Sequence, residues 1–189
     1  MPRAGLTRAV IAVDAAELAD EIGWEQLTLA AVAARFGVRQ PSLYKHVAGL
    51  SELRRDISVL SGRELGEELA TAAVGKSGPD AVLAMAEAYR TYAKKHPGRY
   101  AASVIAPTAG DTEYEQVAES VLRTVAAVLG GYRLTGDDMI HAIRGLRAVM
   151  HGFVSLEAAG GFAMPLDLDE SYRRLIVGFS ASLTRPAEQ

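Results

Sequence analysis

The densest group of side chains able to bind another molecule lies in GVRQPSLYKHV, residues 37–47. Barely two helical turns would hold five polar or charged side chains: Gln40, Ser42, Tyr44, Lys45 and His46. Leu43 and Val47 are the clearly apolar residues, and their spacing of four places both on one narrow edge of a helix. This edge would anchor the segment while the polar side chains face outward. The pattern therefore predicts contact with something outside the protein.

No pattern typical of catalysis or metal binding occurs elsewhere in the sequence. There is no cysteine, no Gly-x-Ser-x-Gly and no phosphate-binding glycine loop. His141 and His151 are ten residues apart, would point to different faces of one helix, and have no carboxylate at metal-ligand spacing. The paired acids are adjacent in sequence and so project in different directions: Glu67 with Glu68, and Asp137 with Asp138. We predict no enzyme activity, no metal and no cofactor.

Composition predicts a soluble cytoplasmic protein with a substantial core. The chain has 189 residues, of which 49% are hydrophobic, and it has no cysteine. No apolar run reaches the roughly 18–20 residues of a membrane span, and the N-terminus lacks the apolar core of a signal peptide.

Charge is unevenly distributed although the net charge is only −3. Residues 26–55 carry five cations and one acid, whereas residues 14–25 carry five acids and no cation. One interpretation is a small cationic face that binds a phosphate backbone, and the other is ordinary scatter of surface charge.

Apolar residues at helical spacing run through most of the chain and predict an all-α fold of about nine helices. Helices are expected over residues 7–23, from Thr28 to residue 34 or 36, from Pro41 onward, and over about 50–74. Further helices are expected at 80–96, 99–105 and 113–129, after Thr135, and around the final apolar stripe. The organisation that we predict is an N-terminal domain over 1–48, a connecting helix over 49–74, and a C-terminal helical domain over 75–189.

The first three short helices have the layout of a helix-turn-helix. Within this layout, LTLAAVAARFGVRQPSLYKHVAGLSELRRDI, residues 27–57, resembles the tetracycline-repressor-like family of bacterial transcription regulators. The resemblance rests on the Thr28 cap, the Gly37-Val38 turn, the Leu43-Tyr44 pair and the spacing of Tyr44 and His46. It implies a homodimeric repressor that binds a pseudo-palindromic operator and is released by a small-molecule effector.

The resemblance also implies roles for individual residues. Gln40, Pro41 and Ser42 would meet base edges. Thr28, Tyr44 and His46 would bind phosphate oxygens, and Arg39 and Lys45 could do either. Backbone N–H groups at Gly49 and Leu50 would clamp a further phosphate. Simpler interpretations remain open: Tyr44 as a packing residue, His46 as an ordinary exposed histidine, and the whole segment as a solvated surface helix.

Two positions depart from the family pattern. The family usually has a lysine where this chain has Leu50, and an arginine of the tetracycline repressor aligns with Ala30. Both would be DNA contacts. Their loss keeps an alternative open, namely a helical small-molecule-binding protein whose DNA-binding module is weak or vestigial.

The resemblance also implies that residues 1–48 are the DNA-binding domain and that residues 75–189 are a ligand-binding and dimerisation domain. Candidate effector ligands are Tyr89, Tyr92, His96, Tyr100, His141 and Arg144, unless they are satisfied polar residues of the core. Candidate interface residues on two apolar stripes are Met150, Phe153, Tyr172, Ile176 and Phe179, unless the stripes are only internal core. MHGFVSLEAAGGF, residues 150–162, is also similar to a C-terminal subtype with a Trp-His-Gly signature, although here only His151 and Gly152 of it remain.

Overall fold

The computed structural model of the protein describes residues 6–184, and the first five and last five residues lie outside that range. Over residues 6–184 the chain forms eight α-helices, three short 3-10 helices and no β-strand. The α-helices are α1 (Arg8–Ile22), α2 (Leu29–Phe36), α3 (Leu50–Ala73), α4 (Gly78–Lys95), α5 (Pro97–Ser103), α6 (Thr112–Leu129), α7 (Gly136–Ala158) and α8 (Leu168–Ser182). The 3-10 helices are Trp24–Gln26, Gln40–Lys45 and Gly130–Tyr132. The predicted all-α fold is confirmed.

Threonine caps and one glycine set the bounds of the first two helices. The Thr7 hydroxyl accepts the Val10 N–H at 3.2 Å, and the Thr28 hydroxyl accepts the Ala31 N–H at 3.1 Å. Both bonds satisfy a donor that the first helical turn leaves without a partner. Gly37 ends α2 in the left-handed conformation, at φ 63° and ψ 33°, which a residue without a Cβ adopts at little cost.

The chain divides into two compact units. The first comprises the described residues up to Leu65 together with Lys95–Ala118, and the second comprises Gly66–Lys94 and the described residues from Glu119 onward. Compactness alone does not assign functions, so the division into 1–48, 49–74 and 75–189 stays a prediction.

The first unit has a continuous apolar core beneath its N-terminal helices. Its fully buried side chains come from α1, α2, α3 and the segments between them: Ile11, Leu27, Val32, Leu43, Leu53 and Ile57. Helix α5 packs against α1 and contributes Ala102 to the same core. A Cβ atom at Gly98 of α5 would lie 2.2 Å from the carbonyl carbon of Ala19, so only glycine allows this approach.

The second unit contains an ionic cluster centred on the buried Arg90, in addition to its buried apolar side chains. The Arg90 guanidinium donates two hydrogen bonds to Glu157 and one to Asp169, each at 2.7 Å. It also lies over the rings of Phe153 and Tyr172, at 5.5 and 5.2 Å from their centres. These bonds from Arg90 are the main reason that the pKa of Glu157 lies below its ordinary value. The cluster therefore holds α4, α7 and the start of α8 together.

Candidate DNA-binding interface

The segment that the sequence singled out forms the six-residue helix Gln40–Lys45. It is a 3-10 helix rather than an α-helix: the Ser42 N–H donates to Arg39 O and the His46 N–H to Leu43 O, both at 2.8 Å. Pro41 lies in its first turn, as predicted, where the missing N–H removes no helical bond. The tighter winding suits so short a helix, because few i to i+4 bonds could form within it.

Two buried residues fix this helix against the core of the first unit. Leu43 and Val47 are 0% and 1% exposed, and burying each contributes about 1.5–3 kcal/mol. Tyr44, by contrast, is 53% exposed. The predicted anchoring edge and outward face are therefore both present.

The outward face is partly organised by its own hydrogen bond. The Gln40 amide nitrogen, Nε2, donates to the Tyr44 hydroxyl at 3.3 Å. The predicted DNA-binding residues that are exposed are Thr28, Arg39, Gln40, Pro41, Tyr44 and Lys45, and those that are half-buried are Ser42, His46 and Gly49. The structure thus brings all nine into the N-terminal part of the first unit.

Two of the five cations counted over residues 26–55 are engaged in contacts within the first unit. Arg35 pairs with acids of α1, and Arg54 contacts the segment between α1 and α2. Arg35 binds Asp14 at 2.6 Å and Glu21 at 2.8 Å, which joins α2 to α1. Arg54 donates to the Trp24 carbonyl oxygen at 3.2 Å and lies 5.1 Å above the Trp24 ring. Neither guanidinium is available to a phosphate without breaking these contacts.

A third cation, Arg55, is bound to the start of α6. It donates from Nε to Asp111 at 2.6 Å and from Nη1 to Glu113 at 2.7 Å. The bonds from Arg55 lower the pKa of Asp111 to about 2. Within residues 6–184, only Arg39 and Lys45 of the five cations make no ion pair or side-chain hydrogen bond, so the cationic face is smaller than the sequence count suggests.

The start of α3 carries a negative charge of its own. The Glu52 carboxylate accepts the Ala48 N–H, and Arg8 holds the same carboxylate at 2.6 Å. Gly49 and Leu50 were expected to clamp a phosphate here. A phosphate would have to approach the Glu52 carboxylate, whose charge Arg8 offsets only in part because Arg8 also pairs with Asp56.

The predicted effector-binding residues are distributed between the two units. His96 and Tyr100 belong to the first, where His96 Nδ1 lies 3.2 Å from an Asp20 carboxylate oxygen. The other four belong to the second: Tyr89 and Tyr92 are buried, whereas His141 and Arg144 are exposed.

The predicted interface residues lie mostly inside one subunit. Met150, Phe153, Tyr172 and Ile176 are buried, and Phe179 is half-buried. The same two helices carry exposed apolar side chains that were not among the predicted interface residues: Ile140, Leu156, Leu175 and Val177. In the sequence these residues lie outside the main apolar stripe of each helix. The spacing rule that identifies the buried face therefore does not select them.

Metal binding and membrane insertion are two further possibilities for residues 6–184. No group of three or more His, Cys, Asp or Glu residues there is arranged to hold a metal ion. None of the described helices is long and apolar enough to span a membrane.

Comparison with known proteins identifies relatives over nearly the whole chain. The family described as "Tetracyclin repressor-like, C-terminal domain" matches residues 82–179. An uncharacterised HTH-type transcriptional regulator of Mycobacterium tuberculosis is 36% identical over 183 residues, covering 96% of this chain and 84% of the relative. A second uncharacterised regulator of this type, from Bacillus subtilis, is 35% identical over 184 residues, covering 96% and 95%. A solved TetR variant from Acinetobacter baumannii, in complex with minocycline, shares the fold with a TM-score of 0.69 at 20% identity, covering 94% of this chain and 96% of that one.

Proposed function

The chain belongs to the tetracycline-repressor-like family of transcription regulators, and on that premise we propose that it is a homodimeric repressor released from DNA by a small-molecule effector. As a member of this family it is a regulator and not an enzyme, as the sequence predicted. We assign DNA binding to residues 1–48, the connection to 49–74, and effector binding with dimerisation to 75–189.

One observation carries the DNA-binding part of the proposal. The Gln40–Lys45 helix is fixed from below by Leu43 and Val47 and presents its polar side chains to solvent. A segment that is rigidly anchored and polar outward suits a major groove, where the N-terminal residues of a recognition helix meet base edges. Gln40, Pro41 and Ser42 would read bases, and Tyr44 and His46 would bind phosphates.

We propose a dimer because one such short helix contacts only a few base pairs. Operators with two-fold symmetry are bound by proteins with two-fold symmetry. The surface that we propose for it is the exposed side of α7 and α8. Ile140, Leu175 and Val177 are 46%, 39% and 43% exposed there. Gly152 and Gly178, both exposed, would permit close approach of a partner helix.

The effector is proposed to bind in the second unit, where Tyr89 and Tyr92 are buried aromatic residues with a polar end. The Trp-His-Gly subtype also remains a proposal. His151 is half-buried and has its Nε2 atom 3.4 Å from the Ser155 hydroxyl, and Gly152 is exposed.

The alternative of a weak or vestigial DNA-binding module is favoured by the small cationic face and by Glu52. The two functions are separated by titrating the protein against its own upstream intergenic DNA and against a shuffled duplex. Sequence-selective binding with a steep salt dependence supports a DNA-binding regulator, whereas equal and weak binding to both duplexes supports the alternative.

Salt dependence tests how many cations reach the phosphate backbone. With Arg39 and Lys45 from each of two subunits, the slope of log K against log salt is expected to be about −3 to −4. Between 50 and 200 mM salt the affinity would then fall by about a hundredfold. Fluorescence anisotropy at several salt concentrations measures this slope.

The matched variants for that slope are both surface substitutions. Lys45→Gln is expected to make the slope shallower by about 2 per dimer, whereas Arg123→Gln, in an exposed pair of the second unit, leaves it unchanged. A slope near −8 would mean that the cations bound within the first unit also reach DNA, contrary to our interpretation.

The hydrogen bond between Gln40 and Tyr44 predicts that base reading and phosphate binding are coupled. Gln40→Ala is expected to cost about 1–3 kcal/mol of discrimination at one base position. Tyr44→Phe is expected to weaken all sequences and also some of that discrimination, because the hydroxyl no longer orients the amide. A double-mutant cycle on operator variants measures the coupling, expected at about 0.5–1 kcal/mol. Strictly additive effects would show that the hydrogen bond does not orient Gln40.

Glu52→Gln is expected to tighten binding to operator and shuffled DNA alike, by about two- to fivefold. The substitution removes a negative charge from the start of α3 while keeping an oxygen that accepts the Ala48 N–H. Titration of both duplexes measures the change, and Glu119→Gln on an exposed face of α6 is the matched control. Unchanged affinity would mean that no phosphate approaches this helix end.

A further inference from the structure

Arg54 of α3 is bonded to the segment that joins α1 to α2. Its Nη2 atom lies 3.2 Å from the carbonyl oxygen of Trp24 and 3.5 Å from those of Glu25 and Leu27. The guanidinium also lies 5.1 Å from the centre of the Trp24 ring. One side chain of α3 therefore contacts three of the four residues that directly precede Thr28.

The segment 24–27 depends on such contacts because its own backbone bonds are long. The Gln26 N–H donates to Gly23 O at 3.2 Å and the Leu27 N–H to Trp24 O at 3.3 Å, at or beyond the long end of the ordinary range. Trp24 and Leu27 are buried, but apolar burial has no preferred direction. A hydrogen bond from a charged donor is both directional and stronger than a neutral one. Arg54 is thus well placed to set the direction of these carbonyl groups.

The guanidinium keeps this position although one of its donors is unsatisfied. The Arg54 Nε atom is buried and has no hydrogen-bond partner among residues 6–184. A buried donor without a partner is unfavourable, and such a cost is retained more readily where a residue serves function than where it serves stability alone. The contacts to the segment therefore need an explanation beyond stability.

Thr28 is the residue whose position depends on this segment. Its hydroxyl oxygen accepts the Ala31 N–H at 3.1 Å as the cap of α2. A hydroxyl also has one hydrogen to donate, and the Thr28 side chain is exposed. In a helix-turn-helix the first helix of the pair crosses the DNA backbone, and a helix N-terminus favours a phosphate. A change in the direction of the Leu27 carbonyl would turn the Thr28 hydroxyl away from such a phosphate.

We propose that Arg54 is a positioning residue for DNA binding, which fixes the direction in which the Thr28 hydroxyl meets a phosphate. The inference rests on the proposed function, since it requires that α2 crosses the DNA backbone. Arg54 acts through the segment 24–27 and does not itself touch DNA.

Arg54→Met tests this role, because methionine keeps an apolar stem and removes the guanidinium. Operator affinity measured by fluorescence anisotropy is expected to fall at least about fivefold, with the salt slope unchanged. A direct phosphate contact by Arg54 would instead make the slope shallower by about 2 per dimer. Arg54→Lys keeps a charged donor and is expected to recover most of the affinity. Arg63→Met, an exposed position of the same helix, is expected to change neither affinity nor slope.

Two further measurements separate positioning from a general loss of stability. In a Thr28→Ala background, Arg54→Met is expected to weaken binding by less than about twofold, because the hydroxyl that it positions is already absent. Trp24 is the only tryptophan of the chain. Quenching of its fluorescence by acrylamide, measured without DNA, is expected to rise at least about twofold in Arg54→Met as the segment loosens.

Reduced affinity at an unchanged slope, together with its disappearance in the Thr28→Ala background, supports the inference. The inference alone is overturned if Arg54→Met binds the operator like the wild type, makes the slope shallower, acts additively with Thr28→Ala or leaves Trp24 quenching unchanged. A wild-type protein that binds operator and shuffled duplex equally weakly overturns the proposed function, and this inference with it.

Discussion

Arg90→Met is expected to lower the free energy of unfolding by about 3 kcal/mol, because it leaves the half-buried Glu157 carboxylate with only the exposed Lys94, 3.3 Å away, as a cation. The side chains of Arg90 and Glu157 are only 10% and 12% exposed. Methionine has a similar length and no charge, so the substitution removes the ion pair while largely filling the space. Urea unfolding followed by circular dichroism measures the change.

Two matched variants separate burial from charge. Arg123→Met breaks an exposed pair with Glu119 and is expected to cost less than about 0.5 kcal/mol. The double variant Arg90→Met with Glu157→Leu removes both charges of the pair and is expected to recover most of the loss. If the double variant were as unstable as Arg90→Met alone, the cost would come from lost packing against Phe153 and Tyr172 instead.

The same pair gives the stability a defined pH dependence. Hydrogen bonds from Arg90 hold the pKa of Glu157 in the folded state below its ordinary value of 4.5. The stabilisation is therefore complete above pH 4.5 and is lost as the pH falls through the folded-state pKa. Arg90→Met is expected to show a shallower loss of stability over this acidic range. Equal pH profiles for the two proteins would contradict this assignment.

Gly98→Ala is expected to destabilise the first unit by about 1–3 kcal/mol. The added Cβ atom would lie 2.2 Å from both the carbonyl carbon and the carbonyl oxygen of Ala19. These are backbone atoms of α1, so no side-chain rotation relieves the overlap and one of the two helices has to move. Hydrogen exchange of α1 amides locates the effect, and urea unfolding gives its size.

The control for this substitution is Gly130→Ala. A Cβ atom at Gly130 would meet nothing within 4 Å, so alanine there is expected to be neutral or slightly stabilising. DNA affinity is expected to fall with Gly98→Ala and not with Gly130→Ala, because α1 and α5 share the core that supports the Gln40–Lys45 helix. Unchanged exchange of α1 amides in Gly98→Ala would show that the close approach is absent.

Local signals in the sequence were sufficient to predict the helices and the residues that anchor the Gln40–Lys45 helix. Thr28, Gly37 and Pro41 act on neighbouring backbone groups, so their effects can be predicted without knowing the fold. The spacing of Leu43 and Val47 likewise identified the buried edge.

Long-range contacts were beyond the reach of those signals. Counting charges over residues 26–55 treated Arg55 as a surface cation, but its partners Asp111 and Glu113 are more than fifty positions away. The apolar stripes of α7 and α8 were ambiguous for a related reason, since periodicity shows that a face is buried but not what buries it. Tyr172 and Ile176 turned out to be covered by their own chain.

The first unit is built from two separate stretches of the chain, and this matters for any attempt to transfer the proposed DNA-binding segment to another protein. Residues 95–118 return to that unit after a long excursion, and Ala102 completes the core that Ile11 and Leu43 belong to. A chimaera carrying residues 1–48 alone would expose the face of α1 that α5 normally covers. A segment transferred to another protein would therefore need both stretches to keep its core. Substituting individual surface residues is the simpler way to change the proposed operator preference.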